Sequence, residues 1–270
     1  MTESPLTWLY APGDRPHVVA KALTLGADVV VVDLEDAVAP ERKAYARAAT
    51  ADLLADPPPV PVHVRLNALD SPWAEQDIAA LAQAPGLSGL RLPKVTSPAG
   101  IVPVAHRTTA DLYALLESAL AVEQAYAIAT AHPALRGISL GEADLRGDLG
   151  AGDDAGLDWS RSRVIVAARA AGLPPPAQSV HPDVRDLEGL AASCARGRAL
   201  GFLGRAAIHP RQLPVIERAY LPTEEEIEQA ETVLKAAAAE PGAQALPDGR
   251  FVDAAVVAAA RRTLALARRR

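Results

Sequence analysis

Aromatic residues are scarce in this chain, only 4% of it, so a core has to be built from Ala, Val and Leu. Half of the 270 residues are hydrophobic, which is enough for a sizeable one. There is a single cysteine, Cys194, so no internal disulfide can form, and no Cys/His cluster has zinc spacing. No apolar run is long enough to span a membrane. The opening stretch "MTESPLTWLYAPGD" lacks the basic and apolar regions of a secretion signal. A soluble cytoplasmic protein is expected. Excess positive charge is also missing: a formal net charge of -6 argues against a general nucleic-acid binder. Neither a Walker loop nor a Ser/His/Asp set appears.

What is present is alternation. Eight short apolar runs are separated by longer Ala-rich stretches. The runs are "LTWLYAP", "DVVVVDLED", "VPVHVRLN", "LSGLRLPK", "ADLYALLES", "LRGISLGEADL", a weaker "PPPAQSVHPD" and "LGRAAIHPRQ". Helix candidates lie at 16–26, 40–55, 73–84, 118–131, 161–172, 186–200 and 211–219. Strands alternating with helices imply a parallel sheet, because each crossover must cover a face. Eight units predict an α/β fold of the (β/α)8 TIM-barrel type over residues 1–220. An open doubly wound sheet would usually show a Gly-rich loop after its first strand. Here that turn is "APGDRP", with one glycine. Residues 221–270 read as extra C-terminal helices, a lid or a subunit contact. Thr223 with Glu226 makes a capping-box pattern at the first of them, and a Pro-Asp-Gly turn precedes the last.

In such a barrel the site forms where the strands end. The apolar runs end in Asp33, Glu35 and Asp36, in Arg65 and Asn67, in Lys94, in Glu117, in Glu142 and Asp144, and in His209. Charges of both signs at successive strand ends suggest a rim built around a ligand. Glu117 and Asp144 would be neighbours on adjacent strands. Two close carboxylates need a proton or a cation between them, and oxygen ligation with open positions suits Mg²⁺. Salt bridges to Arg146 or Arg65 are the alternative. Arg65 and Asn67 are candidates for binding substrate, and Arg65 could hold a carboxylate or an enolate oxygen. Arg15 in "APGDRPHVVAK" and Lys94 could meet an anionic ligand, while His63 and His209 read as packed strand residues.

The ordered motifs "LYAPGDRPHVVAKALTLGADVVVVDLEDAV", "VRLN", "LRLPKV", "LLES", "GEADL", "HPDVRDLEGL" and "GFLGRAAIHPRQL" resemble the citrate lyase β-subunit family, with its malyl-CoA and citramalyl-CoA lyases. The resemblance covers nearly the whole chain. It implies an Mg²⁺-dependent carbon–carbon lyase acting on a CoA thioester of a hydroxy acid and releasing acetyl-CoA and a 2-oxo acid. It implies Glu117 and Asp144 as metal ligands and Arg65 as the enolate-stabilising residue. Glu35 and Asp36 would support the metal site or Arg65, and Arg15 and Lys94 would shape the CoA pocket. Asp253 in "DGRFVD" would be the acid/base, often serving a neighbouring subunit, in a homotrimer or hexamer. Ser118 and Ala11 depart from the family pattern, which usually has threonine and a bulkier residue there. A β subunit of a multi-subunit citrate lyase, a class II pyruvate-type aldolase without CoA and a non-catalytic metabolite-binding barrel are the competing readings.

Overall fold

The structure, a computed structural model, describes residues 4–239, 243–245 and 249–269. Residues 5–217 form one compact unit, and Ser4 with the described residues from 218 onward forms another. The first unit opens with β1 (Thr7–Pro12), α1 (Pro16–Ala22), β2 (Val29–Asp33) and α2 (Lys43–Leu53). β3 (Val62–Arg65), α3 (Ala74–Leu81), β4 (Leu87–Leu92) and α4 (Val102–Ala105) follow. Next come β5 (Asp111–Leu116), α5 (Ala119–Glu123), α6 (Ala125–Ala129) and β6 (Leu135–Leu140). α7 (Glu142–Leu149), α8 (Asp158–Ala170), α9 (Leu187–Leu200), β7 (Arg205–Ala207) and α10 (Leu213–Tyr220) complete the series.

The seven strands are parallel and pair in the order β6-β5-β4-β3-β2-β1-β7. All five residues of β2 are buried. That is the expected pattern for a parallel strand covered on both faces, and it explains the run of four valines. The sheet curls: Trp8 on β1 and Ser139 on β6 line one cavity although four strands lie between theirs.

The expected eight-stranded closed barrel is not what the hydrogen bonds make. The stretch 174–183, expected as a seventh strand, contributes one isolated bridge, from Gln178 to Arg205. Pro174, Pro175, Pro176 and Pro182 have no N–H to give to a ladder. Among the described residues no ladder joins this stretch to β6, and the sheet has seven strands.

Helices also differ locally. The candidate at 118–131 divides into α5 and α6 at Gln124. "GEADL", read as the end of a strand, becomes helical from Glu142, and two acids in the first turn favour the helix dipole there. A buried clasp ties the loops after β2 and β3 together. Lys43 on α2 donates from Nζ to the carbonyls of Leu34 and Glu35, each at 2.7 Å. Arg47, also on α2, meets Asp77 on α3 at 2.7 Å.

In the second unit, α11 (Glu224–Ala239) begins with the expected capping box: Thr223 N–H donates to Glu226 Oε2 and Glu226 N–H to Thr223 Oγ1. A two-stranded antiparallel pair, β8 (Gln244–Ala245) and β9 (Phe251–Val252), leads into α12 (Ala254–Ala267). Ala230, Val233, Val252 and Ala260 form its core. Pro247 and Asp248 of the Pro-Asp-Gly turn lie outside the described residues. No helix among the described residues is long and apolar enough to cross a membrane.

The sheet interior is crowded at Gly89 on β4. A Cβ there would lie 2.8 Å from His63 Cδ2 and 2.9 Å from Tyr113 Cε2, a buried and a half-buried ring stacked at 4.6 Å between centroids. Gly89→Ala is expected to cost about 1–3 kcal/mol by overpacking. Urea denaturation checks this: the midpoint should fall with an unchanged slope.

Candidate active site

The carboxylates after Val32 do not point to solvent as a group. Asp33, the last residue of β2, is 2% exposed. Its two oxygens take the Arg65 fork, Nε to Oδ1 at 2.8 Å and Nη2 to Oδ2 at 2.6 Å. Asp33 also accepts the N–H groups of Glu35 and Ala37, which fixes the turn that follows. Arg65 Nη1 lies 3.1 Å from both Glu35 Oε2 and Asp36 Oδ2. Burial works against the Arg65 charge, but the hydrogen bonds and charge of Asp33 outweigh it and push the pKa up. The guanidinium is therefore permanently charged and held rigid, with an N–H left over on Nη2.

Lys94 bridges to the next strand end. It is the one non-glycine among the described residues with positive φ, at 53°. That left-handed backbone turns its N–H onto Glu117 Oε2 at 3.0 Å, while its Nζ reaches Glu35 Oε1 at 2.9 Å. The bond to Glu35 raises the Lys94 pKa. Burial raises that of Glu35.

Glu117 follows β5 and is 5% exposed. Its pKa is pushed up to about 7, first by burial and then by the charge of Glu35, with Asp144 adding to the effect. Gly141 makes room for it, since a Cβ at 141 would lie 2.5 Å from Glu117 Oε1. Asp144 stands in the first turn of α7. The salt bridges considered for this pair do not form: Arg146 pairs with Asp154 and Arg65 with the β2 acids. Among the described residues neither Glu117 nor Asp144 has a side-chain cation. Nor does any group of three or more His, Cys, Asp and Glu side chains converge there as a metal cage. Two carboxylates, with waters and ligand oxygens filling the remaining positions, fit a small hard cation such as Mg²⁺.

These residues open on a cavity of about 1030 Å³ that includes Asp33, Asp36, Arg65, Glu117 and Asp144 in its wall, all within the first unit. The other sequence candidates lie elsewhere. Asn67 is 2% exposed and gives its backbone and side-chain N–H groups to Asp77, outside the cavity wall. Arg15 is exposed at the start of α1. Lys94 and Glu35 stand behind the wall as supports. Ser118 caps α5, accepting the Ala121 N–H at 3.2 Å. His209 caps a short helical turn by accepting the Arg211 N–H. In the second unit, Asp253 caps α12 by accepting the Val256 N–H.

Two elements of the wall carried little sequence signal. Arg161 on α8 is 4% exposed and binds Glu142, Asp154 and Asp158, which holds the start of α7 in place. Its partners are scattered along the chain, so no short motif marks it. Arg91 on β4 points inward two residues after Gly89, and the strand's alternation is the only signal.

The model for the HpcH/HpaI aldolase/citrate lyase family matches residues 6–210. The chain belongs to that family. A second model, for carbon–carbon bond lyases of the TIM-barrel fold, matches residues 168–254. A citrate lyase subunit beta-like protein of Mycobacterium tuberculosis is 37% identical, with 93% of this chain and 91% of that protein aligned. A (3S)-malyl-CoA thioesterase of Cereibacter sphaeroides is also 37% identical, over 96% of this chain and 93% of its own. Among solved structures, protein CitE of M. tuberculosis in complex with magnesium, acetoacetate and coenzyme A superposes with a TM-score of 0.85. It is 35% identical, and 99% of each chain is covered.

The raised pKa of Glu117 has a definite sign. Between pH 4.5 and about 7 the folded, metal-free protein keeps a proton that the unfolded chain has lost, so this group's contribution to stability falls as pH rises through that window. A metal ion needs the carboxylate and must displace the proton. Magnesium affinity is expected to fall about tenfold from pH 8 to pH 6. Calorimetry in buffers of different ionisation heat should show proton release near pH 7, and a pH-independent affinity would contradict the assignment. In Gly141→Ala the new Cβ meets Glu117 at Cγ and Cδ as well as at Oε1, so the whole buried side chain must shift; magnesium binding should be lost and the melting temperature lowered.

Proposed function

We propose that this protein is an Mg²⁺-dependent lyase that cleaves a carbon–carbon bond in a hydroxyacyl-CoA thioester of the citryl-, malyl- or citramalyl-CoA type, releasing acetyl-CoA and a 2-oxo acid. The observation that carries this reading is the cavity wall, where an acid pair without a side-chain cation faces an immobilised guanidinium. The CitE complex with magnesium, acetoacetate and coenzyme A supports it. Magnesium, when bound, supplies a Lewis acid for the oxygens of the oxo-acid portion. Glu117 and Asp144 would hold it from the ends of neighbouring elements. The substrate hydroxyl gives up its proton, the carbon–carbon bond breaks, the hydroxyl carbon becomes the carbonyl of the 2-oxo acid, and the bonding pair moves into the thioester as an enolate. Arg65 stabilises the enolate oxygen through the Nη2 N–H that the three acids do not occupy. Asp33, Glu35, Asp36 and Lys94 keep that fork from turning, so little reorganisation is needed as charge develops. Asp253 is assigned the proton transfers, ending with protonation of the enolate carbon, as the family resemblance implies. Arg15 and Lys94 are assigned to the CoA side, where the thioester's remote groups contribute binding. The same reading carries a cytoplasmic homo-oligomer, a trimer or hexamer.

Thioester hydrolysis is the second reading, favoured by the malyl-CoA thioesterase relative. The two differ in products: a lyase yields acetyl-CoA and an oxo acid, a thioesterase free CoA and the hydroxy acid. Incubation with malyl-CoA, citramalyl-CoA and citryl-CoA, with chromatography of the CoA species, separates them. Acetyl-CoA formed in step with a 2-oxo acid is expected, and free CoA without an oxo acid would replace the lyase reading. Arg65→Lys keeps the charge but loses the fork, and should lower kcat by about 100-fold. Asp144→Ala should remove the magnesium-dependent rate.

A further inference from the structure

Arg91 is a charged group in the sheet interior without an ion-pair partner among the described residues. It is 5% exposed, and its Nε meets no hydrogen-bond partner among the described residues. Three aromatic rings surround it: its Cζ lies 5.9 Å from the centroid of Trp8, 6.0 Å from Tyr10 and 5.4 Å from Tyr113. Most acids of the cavity wall are taken by other cations, and Glu117 and Asp144 form the acid pair described above. Asp33, Glu35 and Asp36 bind Arg65, the register neighbour of Arg91 on β3, and Glu142, Asp154 and Asp158 bind Arg161. His63, buried beside it, is held neutral by burial and by the Arg91 charge. A second donor is on a residue of the same wall: Trp8 Nε1 is buried without a partner among the described residues, and Trp8 and Arg91 both line the cavity. Buried donors without acceptors are costly, and charged ones most of all.

We propose that Arg91, with the Trp8 indole N–H, forms a carboxylate-binding floor to the cavity, and that it selects substrates whose 2-oxo-acid portion carries a second carboxylate. The inference rests on the lyase reading and narrows its substrate class. A carboxylate is planar and matches the guanidinium fork in two parallel hydrogen bonds. Arg91 cannot serve the enolate as Arg65 does, because it has no acid to fix it; the ligand itself supplies the missing acceptor. A monocarboxylic oxo acid would leave both donors unsatisfied.

Pyruvate and oxaloacetate differ by one carboxylate on C3, so they are the probes. Freshly prepared solutions are titrated calorimetrically, in magnesium, into wild type, Arg91→Met and Arg91→Lys. The wild type should favour oxaloacetate by roughly 10–100-fold. Arg91→Met should bind pyruvate unchanged and lose that preference, and Arg91→Lys should keep part of it. Without ligand, Arg91→Met should melt no lower than the wild type, since an unpaired buried charge has been removed. An undiminished preference in Arg91→Met, or a lower melting temperature without ligand, overturns the proposal. If neither oxo acid binds the wild type, the lyase reading has failed, and malonate titrated without metal decides the floor on its own. Malonate binding that requires Arg91 upholds the anion site, and binding that does not require it, or none at all, overturns it.

Discussion

Glu117 is a buried carboxylate placed against other acids, and the described chain offers it no side-chain cation. Such an arrangement carries an electrostatic cost that a folded protein relieves by taking up a proton or an external cation. The surrounding geometry maintains the arrangement. Lys94 adopts a left-handed backbone to offer Glu117 only an N–H, and sends its ammonium to Glu35 instead. Gly141 keeps the opposite side clear. Arg146, two residues from Asp144, and Arg161 on α8 are drawn off by Asp154. Asp154 is itself held down to about pKa 2 by the Arg161 hydrogen bond. Positive charge is abundant around the acid pair, and Arg65, Lys94, Arg146 and Arg161 are each committed to other acids.

Arg65 is the complementary case. Glu117 and Asp144 are left to find a partner, whereas Arg65 is given three acids and loses its freedom to move. A fork locked by Asp33 keeps its charge and direction whatever occupies the cavity. This division of roles is physically sensible for chemistry that creates an oxyanion, because the stabilising group must already be oriented when the charge appears.

Much of this was legible in the sequence, because it rests on alternation and on strand ends. The parallel α/β arrangement follows from apolar runs separated by Ala-rich helices, and the polar residues ending those runs do include the acid pair and Arg65. What could not be read depends on pairing across the fold. The stretch at 174–183 has the spacing of a strand, but three leading prolines and Pro182 leave only a short span around Gln178 to bond with residues 203–206. Asn67 stands at a strand end, yet its amide is consumed by Asp77. Asp33 was visible among the carboxylates after β2, but its grip on Arg65 depends on which oxygen faces which nitrogen. Arg91 was hidden by its setting, a single charge in an otherwise apolar strand. Only the rings around it show that it faces inward and has no acid to meet.

The most direct test of the acid pair is a crystal grown with Mn²⁺ in place of Mg²⁺ and with a 2-oxo acid, examined by anomalous scattering at the manganese edge. A single strong peak within bonding distance of carboxylate oxygens from both Glu117 and Asp144, with Arg65 still paired to Asp33, is the predicted result. A peak elsewhere, or an acid pair bridged by a side-chain cation with no metal between its members, would contradict the account.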